Sequence, residues 1–508
     1  MSSTLFRTKK VEQSILDTEE PEHALKKSLS ALDLTVFGVG VIIGTGIFVL
    51  TGAVARDAAG PAVSLSFVVA GVVCALAALC YAEFASTVPV AGSAYTFSYA
   101  SIGELPAWII GWDLVLEFAL GTAVVAVGWS GYFRSFLADN IGWHIPAALA
   151  GREGADGFGF DICAAFLVLV LTGILVLGMK LSARVTQVVV AIKLTVVLIV
   201  IIAGAFVVNS ANYSPFIPPS APTSAGTSLK TPLIQLMFGW APSDFGVMGI
   251  FTGASIVFFA FIGFDVVATA AEETRNPQRD MPRGIIGSLF ICTVLYVAVS
   301  IVVTGMQKYK SLSVEAPLAE AFKATGHPWY AGLISFGATI GLITVCMILL
   351  LGQTRVFFAM SRDGLLPRFF SRTHPRFRTP YRPTILLGVI IAIVSGFTSL
   401  RTLGELVNIG TLFAFVIVAV SVIILRRTRP DLPRAFRTPW VPVLPILSVC
   451  ASLWLMLNLP AETWIRFAVW MAVGIVVYFL YGRSHSRLGR HEETTAEEIE
   501  HPPHGDTA

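Results

Sequence analysis

Apolar runs long enough to cross a bilayer recur along almost all of this 508-residue chain, and that recurrence leaves few folds open. A membrane helix needs about 20 predominantly apolar residues, and in hydrocarbon its backbone must satisfy its own hydrogen bonds. Twelve stretches qualify, at approximately 35–55, 62–83, 105–132, 160–180, 183–208, 246–271, 284–306, 328–358, 384–400, 404–425, 441–459 and 464–482. Numbered as spans 1–12, they predict an all-α polytopic membrane protein. Span 9 is short and the 400–404 turn after it is tight. Only 13% of the residues are charged, against roughly a quarter in soluble proteins.

Orientation follows from Lys and Arg, which accumulate on the cytoplasmic side. An even number of spans puts both termini together. With both inside, roughly 24 of the 35 basic residues are cytoplasmic, including Arg362 to Arg382 between spans 8 and 9 and Arg426 to Arg437 between spans 10 and 11. The net charge of +3 is therefore topological; no nucleic-acid module or aromatic-interleaved basic patch accompanies it. The six cysteines sit in or beside apolar spans without metal-ligand spacing and read as small core residues. No cleaved signal peptide is expected ahead of span 1.

Residues 1–34 and 483–508 are polar and are expected to be disordered cytoplasmic segments. Residues 91–99 are too polar to span but carry spaced aromatics, which suggests a short helix on the inner face. The Pro/Ser/Thr-rich stretch 209–245 is the longest external connection and is expected to cover the mouth of a pathway.

Two spans are interrupted. Span 1 contains Gly44-Thr45-Gly46 and span 6 contains Ile262-Gly263-Phe264-Asp265, each near the middle of an otherwise continuous apolar stretch. Glycine there loosens the helix and bares peptide groups that lipid cannot satisfy, so the breaks must face a cavity or ligand. Free N–H groups at Gly44-Thr45-Gly46 suit a carboxylate; the carbonyls of Phe259 and Ile262 suit an ammonium. Together they describe an α-amino acid site made from backbone, although Gly-x-Gly also serves close helix packing. Broken helices at corresponding places of two halves point to a transporter site. Spans 1–5 (35–208) and 6–10 (246–425) then form five-plus-five inverted repeats, with spans 11 and 12 (426–482) appended.

Four ionisable residues stand out. Lys193 lies about ten residues into span 5, near mid-depth, where an ammonium must find acceptors or release its proton; that position suits proton coupling. Asp265 reads as an N-cap, with a gating or substrate-linked role compatible with capping. Asp113 and Glu117 share a face of span 3. Asp113 is placed near an interface, leaving Glu117 to neutralise a basic substrate, relay protons or bond a neighbouring helix. Arg355 is expected to anchor the inner end of span 8. No nucleophile with an adjacent base and no Walker-type loop appears, so no enzyme, metal or cofactor is expected.

The strings Gly44-Thr45-Gly46-Ile47-Phe48, Tyr81-Ala82-Glu83-Phe84-Ala85, Gly111-Trp112-Asp113-Leu114-Val115-Leu116-Glu117, Phe261-Ile262-Gly263-Phe264-Asp265 and Asn276-Pro277-Gln278-Arg279-Asp280-Met281-Pro282 resemble the amino acid-polyamine-organocation superfamily. Within it, the resemblance is to bacterial members of the cationic amino acid transporter family, over roughly residues 25–485. It implies a leucine-transporter-like fold with discontinuous helices 1 and 6, and substrate backbone contacts at Ile42, Gly44, Thr45, Gly46, Phe259 and Ile262. Lys193 matches the lysine that stands where sodium-dependent relatives bind an ion, and Met347 on span 8 is expected to limit side-chain size. The resulting expectation is a proton-coupled importer of neutral or cationic amino acids in the cytoplasmic membrane, with amino acid, protons and bilayer as partners. A small membrane subunit is left open. An amino acid/amine exchanger and a non-transporting sensor are the alternatives.

Overall fold

A computed structural model describes residues 7–8, 27–88, 90, 93–151, 159–178, 183–222, 228–241, 243–377 and 379–490. Most of the N-terminal segment and the tail beyond residue 490, both expected to be disordered, lie outside the described residues.

Among the described residues, eight helical stretches are long and apolar enough to cross a membrane: Gly46–Thr87, Glu104–Ile141, Val185–Ala205, Gly246–Ala271, Pro277–Met306, Pro328–Arg362, Leu400–Thr428 and Ala461–His485. The first is divided at Gly60, where φ is +63°. Shorter apolar helices, Ala31–Ile42, Ile162–Val176, Tyr381–Phe397 and Val443–Leu457, occupy the inner half of span 1 and spans 4, 9 and 11. Span numbers are kept as labels for these segments.

Span 1 begins at Ala31, earlier than expected, because Ser30 and Asp33 form a capping box: the Asp33 amide donates to Ser30 Oγ at 3.3 Å and the Ser30 amide to Asp33 Oδ2 at 3.0 Å. The short helix predicted for 91–99 is present as Ala94–Ser101, but all eight of its residues are buried instead of lying on a surface. It packs against span 3 (Glu104–Ile141) and span 10 (Leu400–Thr428), and the Tyr95 hydroxyl donates to Asp363 Oδ2 at 2.6 Å. Aromatic spacing alone could not distinguish an interfacial helix from one roofed by protein.

The helices pair in two sets. Span 7 (Pro277–Met306) packs along span 2 (Val63–Thr87) and the inner half of span 1, and the outer half of span 6 (Gly246–Val257) also packs on span 2. Separately, span 8 (Pro328–Arg362) lies along span 3, and span 9 (Tyr381–Phe397) along span 4 (Ile162–Val176). Span 5 (Ala183–Ala205) touches spans 1, 7 and 8, so it sits between the two sets. Span 12 is fastened to span 3 by stacked indoles: Trp112 and Trp470 have centroids 4.5 Å apart, and Trp108 Nε1 donates to the Gly474 carbonyl at 2.8 Å.

The long connection between spans 5 and 6 packs back onto the helices. The Phe245 amide donates to the Ala58 carbonyl at 3.1 Å, and Tyr213 donates to the Ile301 carbonyl at 2.8 Å, tying the loop to the outer ends of spans 1 and 7. Residues 483–490, expected to begin a loose tail, instead fold back. Ser486 Oγ donates to the buried Glu104 carboxylate at 2.6 Å, which also accepts from Tyr478 at 2.9 Å and pairs with Arg7 at 3.2 Å. Five cysteines are buried as expected of core residues, while Cys450 is exposed on span 11.

Candidate functional site

Both interruptions occur where glycine placed them, and they lie against each other. The inner helix of span 1 ends at Ile42, and helical structure resumes at Thr45. In span 6 the outer helix tightens into a 3-10 turn, Phe258–Phe261, and a new helix starts at Phe264 after Gly263, whose φ is +127°. That φ is open to glycine and costly for other residues. A Cβ at Gly46 would overlap the backbone of Ala260, and one at Gly263 would come 3.2 Å from the amide nitrogen of Ile42. The glycines therefore supply contact between two breaks more than 200 residues apart in sequence, as well as local freedom.

A residue that sequence reasoning missed joins them. The Tyr296 hydroxyl of span 7 lies 2.5 Å from the Ile42 carbonyl oxygen and 2.9 Å from that of Ala260. Its single proton thus serves the carbonyl ends of both broken helices. The available signal was a lone tyrosine at the middle of an apolar span, away from the interfaces where tyrosine concentrates.

Lys193 is fully buried, and its ammonium donates to the Gly40 carbonyl at 2.6 Å, one turn before the break in span 1. The lysine stem runs along Gly341 of span 8, where a Cβ would stand 2.9 Å from Lys193 Cγ. Span 5 thus reaches span 1 through a charge, across a groove that glycine keeps open.

Asp265 caps in the opposite sense to the one expected. It is the second residue of the helix Phe264–Val267, and its Oδ1 accepts from the Gly263 amide behind it at 3.1 Å. The extended backbone at Ile262 leaves that amide facing the carboxylate, whereas a forward N-cap would need Asp265 outside the helix. Its other oxygen, Oδ2, has no hydrogen-bond partner among the described residues.

Asp113 is fully buried, packed against Gly410 of span 10, where a Cβ would come 2.6 Å from its Oδ1. Glu117 is equally buried, and Asp113 and Asp265 both lie within its electrostatic reach. The nearby Thr411 hydroxyl donates instead to the Val407 carbonyl at 3.0 Å. Both oxygens of Asp113 and of Glu117 lack hydrogen-bond partners among the described residues, as does the buried Tyr81 hydroxyl beside them. Asp113, Glu117 and Asp265 consequently form a buried acidic cluster with spare acceptors.

Around the breaks, Thr45 is buried with its hydroxyl unpartnered among the described residues, and Ile42, Phe259 and Ile262 are each almost wholly buried; Met347 of span 8 is buried too, two residues beyond the Val345 that faces Gly44. The Ile262 amide donates to the Phe259 carbonyl at 3.2 Å, so one of the two carbonyls expected at this break is engaged within the turn. Val345 of span 8 stands opposite Gly44, 3.4 Å from where its Cβ would be. Arg355, toward the C-terminal end of span 8, pairs with Glu273, just past the C-terminal end of span 6, at 2.7 Å. Among the described residues no group of three or more His, Cys, Asp or Glu side chains is placed to hold a metal ion.

The same region is spanned by a family model described as amino acid permease, which matches residues 29–479. The chain is 47% identical over 489 residues to the methylthioribose transporter of Bacillus subtilis (strain 168), covering 96% of this chain and 100% of that one. It is 47% identical over 494 residues to the branched-chain amino acid permease BcaP of the same organism, with the same coverage. It is 33% identical over 604 residues to the vacuolar cationic amino acid transporter 4 of Arabidopsis thaliana, covering 96% of each. Likeness of this extent, on a chain with multiple apolar helices, makes it a multi-pass membrane protein that belongs to the amino acid permease family of the amino acid-polyamine-organocation superfamily.

Proposed function

We propose that the protein is a proton-coupled secondary transporter that imports amino acids across the cytoplasmic membrane, with both termini inside. The observation that carries this reading is the contact of two broken helices under one shared tyrosine hydroxyl. Twelve spans form the leucine-transporter-like arrangement: spans 1–5 and 6–10 are inverted repeats, each headed by a break, and substrate binds where the breaks meet. The amino acid carboxylate takes the N–H groups at Gly44-Thr45-Gly46, its ammonium takes carbonyls at the break in span 6, and its side chain points toward Met347 and Val345.

Alternating access follows from the two packing sets. Spans 1, 2, 6 and 7 rock as a unit against spans 3, 4, 8 and 9, exposing the breaks to one side and then the other. Lys193 couples protons to this motion: its bond to Gly40 holds the inner half of span 1 closed while charged and releases it on deprotonation. Arg355 and Glu273 form an ion pair between the two sets at the inner face, which must part for release.

The relatives are named for three substrate classes, methylthioribose, branched-chain amino acids and cationic amino acids, and geometry bears on the two amino acid classes. Val345, a β-branched residue opposite Gly44, leaves room beside the break for small or branched neutral side chains. The unpartnered carboxyl oxygens of Asp113, Glu117 and Asp265 favour a cationic one, which is the second reading. Uptake of labelled leucine, alanine, arginine, lysine and methylthioribose into proteoliposomes under an imposed proton gradient decides among them. Leucine or alanine uptake that collapses with the gradient is expected. Uptake of methylthioribose alone overturns the amino acid reading, and amino acid uptake indifferent to the gradient overturns the coupling.

A further inference from the structure

We propose that a charged cavity at the outer end of span 3 is a loading site for zwitterionic substrate, closed off from the central site by the Arg134–Glu315 ion pair. This rests on the transport reading above and extends it to the step before substrate reaches the breaks.

The cavity has a volume of about 320 Å³ and lies between the outer end of span 3 and the segment that precedes and includes the helix Pro317–Ala324. That volume is enough for a free amino acid with water around it. Its walls carry both signs of charge: Arg134 and Lys323 against Asp139, Glu315 and Glu320, with His144 at the rim. Neutral or singly charged solutes gain from only part of such a lining. A zwitterion, with ammonium and carboxylate on adjacent atoms of one carbon, can use both.

The pairs in this cavity cross between two bodies. Lys323 meets Asp139 of span 3 at 2.6 Å and Glu320 of its own helix at 2.7 Å, while Arg134 of span 3 meets Glu315 at 3.5 Å. The segment carrying Glu315 and Lys323 rests on the outer half of span 1, since a Cβ at Gly52 would overlap Pro317 and come 2.7 Å from the Ser313 carbonyl. Charges on span 3 thus hold down a lid that sits on span 1. At 3.5 Å the Arg134–Glu315 contact is longer than a good charge-assisted bond, and Arg134 Nε is buried with no hydrogen-bond partner among the described residues. The latch is therefore loosely made and has donor capacity to spare.

A narrow crevice of about 20 Å³ adjoins the larger cavity and shares Gly131, Arg134 and Glu315 with it; Val49 and Gly128 line one side, and Asp161, Gly396 and Ser399 the other. Gly128 is the residue against which Thr45 packs, and Thr45 belongs to the break in span 1. In this proposal substrate passes from the cavity toward the break in span 1 between Arg134 and Glu315, on the side where Gly128 meets Thr45. An amino acid in the cavity exchanges the single loose pair for two better ones: its carboxylate takes Arg134, including Nε, and its ammonium takes Glu315. Arrival of substrate opens the lid that bars it.

The test uses the full chain in membrane vesicles of both orientations, with labelled leucine as probe. Arg134→Gln and, independently, Glu315→Gln on the exposed loop should raise KM about three- to tenfold for transport entering from the outer face, the loss of one charge-assisted contact. The KM for transport entering from the inner face and equilibrium leucine affinity in detergent should stay unchanged. Leucinol and 4-methylpentanoate, each lacking one of the two charges, should compete from the outer face more weakly against wild type than leucine does, and the gap should narrow in the variants. Equal KM changes from both faces, or wild-type KM in both variants, overturns the loading site while leaving transport intact. Failure of the wild-type protein to transport leucine, alanine, arginine or lysine overturns the transport reading and this proposal together.

Discussion

The two breaks are alike in sequence and unlike in how they are held. The break in span 6 adds local support to what its neighbours give: Gly263 supplies the positive φ, Asp265 caps the freed Gly263 amide two residues away, and a 3-10 turn tightens the outer helix, while Tyr296 and Asn408 hold carbonyls of that helix from outside. In span 1 the support comes from elsewhere. Gly40 is held by Lys193 of span 5, Ile42 by Tyr296 of span 7, and Thr45 rests on Gly128 of span 3. A break with local support keeps more of its shape while neighbours move; a break held by three other spans changes when any of them moves. Span 1 is thus the element able to sense conformation and charge, and span 6 the firmer wall against which it works.

The largest expected effect tests the contact itself. Gly46→Ala would drive a methyl into the backbone of Ala260, and overpacking of this kind costs about 1–3 kcal/mol even where side chains can give way. Membrane-inserted protein should be reduced and uptake lost, by immunoblot and transport assay. Gly44→Ala is the contrast, because its Cβ would make only ordinary contacts, with Val345 at 3.4 Å and the Val41 carbonyl at 3.8 Å; normal protein levels with a raised substrate KM are expected. If both alanines behave alike, the two glycines do not divide the work between packing and substrate.

Next comes the remote support of span 1. Lys193→Ala should abolish gradient-driven accumulation, at least tenfold below wild type, while leaving measurable substrate binding by scintillation proximity. Pure exchange between equal internal and external substrate should persist better than net uptake. Normal accumulation responsive to external pH in this variant would reject the assignment of Lys193 as the coupling group.

Tyr296→Phe removes one hydroxyl shared by both breaks, and a net hydrogen bond contributes about 0.5–1.5 kcal/mol. Uptake should fall by roughly threefold to tenfold, with the aromatic ring still packed at 5.3 Å from Phe261 and 5.6 Å from Phe67. The comparison predicts unequal damage. Hydrogen exchange should rise more around Ile42 than around Ala260, since the break in span 6 has its own cap; equal protection loss at both would show that span 6 depends on the tyrosine just as span 1 does.

What was legible in the sequence follows the same division. Glycine inside an apolar run and a lysine at mid-depth violate membrane chemistry locally, so Gly44, Gly46, Gly263 and Lys193 stood out one at a time. Tyr296 violates nothing by itself; its role exists only once spans 1, 6 and 7 meet. The burial of Asp113 is hidden in the sequence for a related reason. Span 3 is a 38-residue helix, and the part that carries Asp113 is roofed by span 10 at Gly410 and by span 12 through Trp112 and Trp470, so position along a hydrophobic run does not report burial by other spans. Buried Ala94–Ser101 was mistaken for a surface helix by the same logic, its cover being supplied by segments far away in the chain. Vestibular charges such as Arg134 and Glu315 look like ordinary loop and helix-end residues until the fold sets them face to face.

The smallest effect belongs to the break with its own cap. Asp265→Asn keeps an oxygen able to accept from the Gly263 amide, so the cap survives and only the charge is lost. Transport of neutral amino acids should change by no more than about twofold to threefold, within the few tenths of a kcal/mol that separate good capping residues. Asp265→Ala removes the acceptor and should cost about 1 kcal/mol, visible as a lower melting temperature in detergent. Arginine or lysine uptake, if present in wild type, gives the sharper readout. A large selective loss in Asp265→Asn would mean that the unpartnered Oδ2, with Glu117 nearby, holds a substrate cation. Equal small losses for neutral and basic substrates would leave Asp265 as the local cap of the break in span 6.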